Sequence, residues 1–283
     1  DRKPNSSFAE QISINRQKLK DAVEYYAFKE KIHGEGWNKN NKKAEKNEIA
    51  KKFDPDKLYQ VSSGSGFVVS SEGHVITNNH VIENCQKIKV SYKKKDIFAE
   101  KITMDKKNDL AIIQANFQPH TVLVLSNDDP KFMQDILVAG YPFGRHISTS
   151  VKVTKGIVSA LTGLKDNKSN IQIDAALQPG NSGGPIFDNN GNVIGVAVSK
   201  LDFVKVVETF GVIPENTNFG VKISIVKNML MEKNIKFKLS NSKINKDNNI
   251  EKSITEGTLY LSCYMSGSQI NKFKTKKIMF DNE

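Results

Sequence analysis

From Tyr59 onward the chain breaks into short runs of Val, Ile, Thr and Phe, with Gly, Asn, Asp or Pro between them. The runs recur at intervals of roughly 8–12 residues, the pattern of an all-β barrel or sandwich. Candidate strands are Gly66–Ser70, His74–Thr77, Lys87–Tyr92, Asp96–Met104 and Leu110–Ala115. A second set comprises Val122–Leu125, Ile136–Ala139, Val151–Leu161, Ile171–Asp174, Pro185–Asp188, Val193–Ser199 and Asn218–Val221. Ser71-Glu72-Gly73 and Asn190-Gly191 are hairpin signals, and Asn127–Lys131, with Pro130, reads as a seam between two halves. Ile223, Val226 and Leu230 then switch to a spacing of three and four, which predicts a closing helix over Ile223–Lys233. From Lys238 the chain is polar before it offers one last strand, Thr258–Met265.

Ahead of Tyr59 the texture is different. Phe8, Ile12, Ile14, Leu19, Val23, Tyr26 and Phe28 sit at loosely helical spacing, so a helix up to about Lys31 is expected. His33–Asn41 is a breaker, and Lys42–Lys52 reads as a second short helix. The division that follows is an N-terminal helical arm over 1–57, a main domain over 58–238 and a C-terminal tail with one strand over 239–283. Within the main domain the two halves fall at about 58–126 and 132–222, and the closing helix at 223–234. A flexible partner-binding tail is the rival reading of the arm.

Composition removes several function classes. No run approaches the roughly 18 apolar residues of a membrane-spanning helix, and the mean hydropathy is −0.46. The net charge of +11 invites a polyanion partner, but it comes almost wholly from lysine. Arg2, Arg16 and Arg145 are the only arginines, and arginine is the residue suited to bidentate phosphate and base recognition. A solvated basic surface is therefore expected and no nucleic acid; Lys93, Lys94 and Lys95 read as a hairpin tip. The histidines lie away from cysteines and acids at metal-ligand spacing, so neither a metal nor another cofactor is expected. His74, in the strand before the first motif described below, reads as a barrel-surface residue. Cys85 and Cys263 permit one disulfide and an extracytoplasmic home, or two free buried thiols. The chain opens at Asp1, so something ahead of it has been removed, and a signal peptide would fit.

Three segments carry chemistry, and their order matters. Gly64-Ser65-Gly66-Phe67-Val68-Val69 is followed by Val75-Ile76-Thr77-Asn78-Asn79-His80-Val81. Asn108-Asp109 stands at the mouth of the apolar run Leu110–Ile113, and Gly180-Asn181-Ser182-Gly183-Gly184-Pro185 precedes another strand. A serine hydroxyl is a weak nucleophile that needs an adjacent base. Histidine, with an ordinary pKa of about 6.5, takes and returns a proton near neutrality, and a carboxylate fixes its tautomer. Glycines around the serine let successive N–H groups converge on an oxyanion. The turn is not a P-loop, since no Lys-Ser/Thr follows, and it lacks the G-x-S-x-G elbow.

Taken together, GSGFVVSSEGHVITNNHV, NDLAII, QIDAALQPGNSGGPIFDNNGNVIGV and IPENTNFGVKISIV resemble the trypsin-like serine peptidases, in particular the HtrA/Deg-type branch. The resemblance implies a chymotrypsin-like fold of two six-stranded antiparallel β-barrels. It makes His80 the base, Asp109 its orienter and Ser182 the nucleophile, with the Gly180 and Ser182 N–H groups as the oxyanion hole. Ala176 aligns with the floor of the primary specificity pocket and makes it neutral, so cleavage after small or medium aliphatic residues of a polypeptide is expected. Gly195–Lys200, with Val198, Ser199 and Lys200 at its end, would pair with the substrate backbone. Asp174 is a confounder for that pocket, expected to lie outside it. Asn181 stands where digestive relatives carry an aspartate, and the residues after the closing helix are too few for a PDZ domain. The resemblance thus implies a serine endopeptidase; a protease-fold peptide binder that no longer cuts is the competing class. A bridge between Cys85 and Cys263 would tie the last strand to the first barrel.

Overall fold

A computed structural model describes residues 53–144, 149–198, 217–240 and 250–272. The expected N-terminal helices, Ser199 and Lys200 lie outside the described residues. The chain forms two compact units, with boundaries at Lys57/Leu58 and Ser266/Gly267. In the smaller unit the described pieces are joined by hydrogen bonds from Gly267 N–H to the Lys57 carbonyl (3.1 Å) and from Ser268 N–H to the Pro55 carbonyl (3.2 Å).

The larger unit, Leu58–Ser266, is two antiparallel barrels. The first half supplies strands β1 (Leu58–Val68), β2 (His74–Thr77), β3 (Lys87–Tyr92), β4 (Lys95–Asp105) and β5 (Leu110–Ala115), with helix α1 (Asn79–Ile82) after β2. The second supplies β6 (Val124–Leu125), β7 (Asp135–Gly140), β8 (Lys152–Ala160), β9 (Asn170–Ile173), β10 (Pro185–Phe187), β11 (Val193–Val198) and β12 (Asn218–Lys222). Then come α2 (Ile223–Glu232), β13 (Lys238–Leu239), α3 (Ile250–Gly257) and β14 (Thr258–Ser266). Barrel 2 closes in the order β10-β7-β8-β9-β12-β11 and back to β10, while β6 and β13 add in parallel alongside β11.

Barrel 1 closes differently from a purely local barrel. Its order is β1-β14-β3-β4-β5-β2, so the last described strand stands between β1 and β3. The strand expected as part of a C-terminal tail is thus a barrel stave, with Gly64 opposite Leu261 and Ile88 opposite Cys263. Leu259 and Leu261 point into the barrel 1 interior beside Val68, Val75, Ile88, Val90 and Ile113. Cys85 and Cys263 form a disulfide across a sequence separation of 178. Residues 250–257, which read as polar chain in the sequence, are α3, whose Ile250 and Ile254, one turn apart, pack on the core between the barrels.

That middle core explains the uninterrupted apolar runs. Along β5, Leu110 and Ile112 face the seam between barrels whereas Ala111 and Ile113 face into barrel 1. Along β11, Val193 and Val196 face the seam, and Ile194 and Ala197 face into barrel 2. A strand buried on both faces has no need of a polar alternate. The linker contributes a cap: Asp129 accepts from the Ser224 N–H and hydroxyl (3.0 and 2.9 Å), placing a carboxylate at the α2 N-terminus. Lys93 and Lys94 turn the β3–β4 hairpin with φ of 48° and 65°.

His74 departs from its expected surface position: it is buried in the β1–β2 hairpin. The Ser70 hydroxyl accepts from the Glu72 and His74 amides (both 3.2 Å), which leaves its own proton for His74 Nδ1 at 2.7 Å. A hairpin residue can be buried when a side chain four positions upstream satisfies its ring. Burial lowers the His74 pKa from its ordinary value, outweighing attraction to exposed Glu72.

Two measurements follow from this architecture. Leu261→Ala should cost about 2–5 kcal/mol in urea denaturation, the range for a fully buried leucine; a cost within about 0.5 kcal/mol, as for a surface site, would mean that β14 is no stave. Because the folded His74 pKa is lowered, its stabilisation is complete above the unfolded value of about 6.5 and is lost as pH falls through the folded value. Wild-type stability should therefore drop as pH falls below about 6.5, while His74→Gln should show a flatter profile; parallel profiles would contradict the assignment.

Candidate active site

The residues of the three motifs sit on the loops at the seam. His80 lies on α1, the turn after β2, where Val81 and Ile82 bury themselves in the barrel 1 interior and fix the turn. Asp109 immediately precedes β5 and holds a left-handed backbone with φ of 55°, a region that aspartate tolerates better than most residues. Its backbone bend lets one residue grip the His80 segment at several points. Asp109 Oδ1 accepts from the His80 amide at 2.9 Å, and Oδ2 lies 2.6 Å from His80 Nδ1. The Asp109 carbonyl accepts from the Asn79 amide (3.1 Å) and from Asn78 Nδ2 (2.8 Å). A carboxylate only accepts, so Nδ1 carries the proton and Nε2 of the neutral ring is left with its lone pair.

Ser182 is buried in the turn between Pro179 and Pro185. This turn packs on the segment that leads into His80. A Cβ built on Gly183, whose φ is +84°, would stand 2.4 Å from Thr77 Oγ1 and 2.9 Å from the Asn78 amide. Only glycine accommodates that approach. Gly180, at φ +105°, is equally confined, with the Tyr141 carbonyl 2.3 Å from where a Cβ would be. The amides of Asn181, Gly183 and Gly184 donate to the carbonyls of Gln178, Ala197 and Asn181 at 2.9–3.0 Å. The Gly180 amide donates to no carbonyl among the described residues.

Ser65 joins the pieces, although no single feature of the sequence marks it out. It is fully buried; its amide donates to the Ser182 carbonyl (2.8 Å) and its hydroxyl to the Gly180 carbonyl (2.7 Å). It also accepts from the Tyr141 amide through Oγ (2.9 Å) and from Thr77 Oγ1 through its carbonyl (2.7 Å). One small residue thus connects the serine turn, the strand before His80 and the loop after β7. Its only sequence signal is its place between Gly64 and Gly66 in the opening motif.

The remaining sequence-derived positions are mixed. Ala176 is exposed, next to buried Ala175, whose carbonyl accepts from Asn218 Nδ2 (2.9 Å). Asp174 Oδ1 accepts from the Ile157 amide at 2.6 Å, which ties that carboxylate to β8. Val198 ends β11 opposite Phe219. Among the described residues no group of three or more His, Cys, Asp or Glu is arranged to hold a metal ion, and no helix is long and apolar enough to cross a membrane.

Comparison with known proteins places this geometry. Residues 64–196 match the family model described as "Trypsin-like peptidase domain". Over 169 residues the chain is 37% identical to "Uncharacterized protein y4bJ" of Sinorhizobium fredii, a match covering 59% of this chain and 27% of that protein. Over 139 residues it is 40% identical to "Probable periplasmic serine endoprotease DegP-like" of Chlamydia trachomatis, covering 47% and 27%. The chain thus spans little more than a quarter of the length of these curated relatives. Among solved structures, the serine endoprotease from Yersinia pestis superposes with a TM-score of 0.50 at 26% identity, covering 66% of this chain and 65% of that one. The HtrA-type protease AlgW with decapeptide gives 0.50 at 29%, covering 60% and 50%. Residues 64–196, which hold His80, Asp109 and Ser182, match a trypsin-like peptidase domain, and the chain is similar in sequence and fold to HtrA-type serine endoproteases.

Proposed function

We propose that this chain is a serine endopeptidase in which Ser182 is the nucleophile, His80 the general base and Asp109 the residue that orients it. The observation that carries the reading is the double hold of Asp109 on His80, through the amide and through Nδ1. That hold sets the tautomer in which Nε2 accepts a proton. The packing of Gly183 on Thr77 and Asn78 supports bringing the serine turn to the same place.

In this mechanism Ser182 Oγ gives its proton to His80 Nε2 as it attacks the scissile carbonyl carbon. The Gly180 and Ser182 amides receive the oxyanion, each such donor being worth about 3–4 kcal/mol. Collapse breaks the C–N bond, and the leaving amine takes the proton from Nε2. Water, deprotonated in turn by His80, then hydrolyses the acyl-enzyme and releases the acid.

The substrate is an exposed or unfolded polypeptide that pairs as an added strand with the end of β11, around Val198, Ser199 and Lys200. Ala176 offers no charge to a P1 side chain, which favours small or medium aliphatic residues. The relatives' periplasmic designation and the Cys85–Cys263 disulfide both favour an extracytoplasmic site of action.

Fluorophosphonate labelling tests the proposal. Wild type should label at Ser182 and cut unfolded casein; Ser182→Ala should do neither, and Asp109→Asn should lower kcat by about 10⁴. Folded wild-type protein that neither labels nor cuts between pH 6 and 9 would instead be a protease-fold peptide binder.

A further inference from the structure

The strand that completes barrel 1 also reaches both halves of the site. Behind His80, α1 ends at Ile82, and three residues later Cys85 is bonded to Cys263 of β14. The Gln86 amide donates to the Tyr264 carbonyl (2.9 Å), and Gln86 Oε1 accepts from the Ser266 amide (3.0 Å). From β4, Lys101 Nζ donates to the carbonyls of Glu83 (2.9 Å) and Cys85 (3.2 Å), covering the open end of the same turn. On the other side, the Thr258 carbonyl accepts from the Tyr141 hydroxyl (3.3 Å), and the Tyr260 ring meets Tyr141 edge-on at 5.7 Å. Tyr141 is the residue whose carbonyl lies against Gly180 and whose amide is held by Ser65. β14 lies outside the 64–196 stretch matched to the family.

We propose that β14 is a positioning strand for the active site, fastened behind His80 by the Cys85–Cys263 disulfide, so that reducing this bond slows turnover without weakening substrate binding. The proposal rests on the protease reading above. Half-buried Cys85 is the sulfur open to attack, whereas Cys263 is buried. A dithiol reductant would attack Cys85 Sγ as the thiolate, break the S–S bond and release Cys263 as a thiolate that takes up a proton. The reductant's second thiol would then displace Cys85, so that the reductant leaves as a disulfide and both cysteines end as thiols. The backbone ladders of β14 to β1 and β3 survive that exchange. What loosens is the 83–86 turn, and with it the placement of the imidazole. Ala176 and Val198, which the proposed function gives to substrate binding, belong to the segments of the second barrel and not to that turn.

The test compares oxidised and dithiothreitol-reduced protein, with folding followed by circular dichroism. Reduction should lower kcat on a peptide substrate, and the rate of fluorophosphonate labelling, about tenfold or more, a displacement near 1 Å being able to cost about 10²-fold. KM should stay unchanged and reoxidation should restore the rate. Folded, reduced protein with unaltered kcat, or with a raised KM alone, would overturn the proposal. If reduction unfolds barrel 1, Lys101→Met decides, since it keeps the disulfide and removes only the two bonds to Glu83 and Cys85. It should lower kcat several-fold at constant KM, and an unchanged kcat would overturn the proposal. If oxidised, folded protein never labels, the protease reading fails and hydrogen exchange judges the brace alone. Faster exchange of the 79–86 amides on reduction, with β3 to β5 unchanged, supports it; unaltered exchange rejects it.

Discussion

A barrel has no edges only when every strand has two neighbours, and barrel 1 meets that condition with a strand drawn from far along the chain. Without β14, the facing sides of β1 and β3 would present rows of unpaired N–H and C=O groups, the usual template for unwanted pairing. With it, the ring closes, and the interior formed by Val68, Val75, Ile88, Val90 and Ile113 gains Leu259 and Leu261 as its missing wall. The position of α1 follows, because Val81 and Ile82 are buried in that same interior. The chemistry sits on the rim of a vessel that β14 seals.

The site itself is assembled from backbone more than from side chains. Asp109 bends left-handed so that its carboxylate and its carbonyl both serve residues 78 to 80. Ser65 lends an amide, a hydroxyl and a carbonyl to three different segments. Gly180 and Gly183 allow neighbouring backbone to come closer than any side chain would permit. Such short-range fits leave little freedom for the loops at the seam, and the proposed nucleophilic role of Ser182 depends on geometry held that closely.

Much of this was legible in the sequence because it is written locally. The runs at Leu110–Ile113 and Val193–Val198 announce strands buried on both faces, and the glycines beside Ser182 announce a turn that must bend tightly. The order of His80, Asp109 and Ser182 points to the family before any coordinate does. What escaped is what depends on distant partners. Thr258–Ser266 reads as a strand, but its place between β1 and β3 is a matter of register across the whole chain. α3 has only Ile250 and Ile254 to mark it, too little apolar signal to stand out from its polar surroundings. His74 looks exposable until the Ser70 hydroxyl is seen to complete its ring. Ser65 is ordinary in composition and central in space.

The distance along the chain between β1 and β14 has a consequence for how the molecule comes into being. Contacts of such long range form late, after their loop-closure entropy has been met. On the ribosome, His80, Asp109 and Ser182 all emerge before residues 258–266 do, yet the barrel that carries His80 stays open until those residues arrive. Between the emergence of Ser182 and that of residues 258–266, a nascent chain therefore carries the three proposed catalytic residues on an unfinished scaffold. The order of translation alone delays the moment at which the candidate site has its full scaffold.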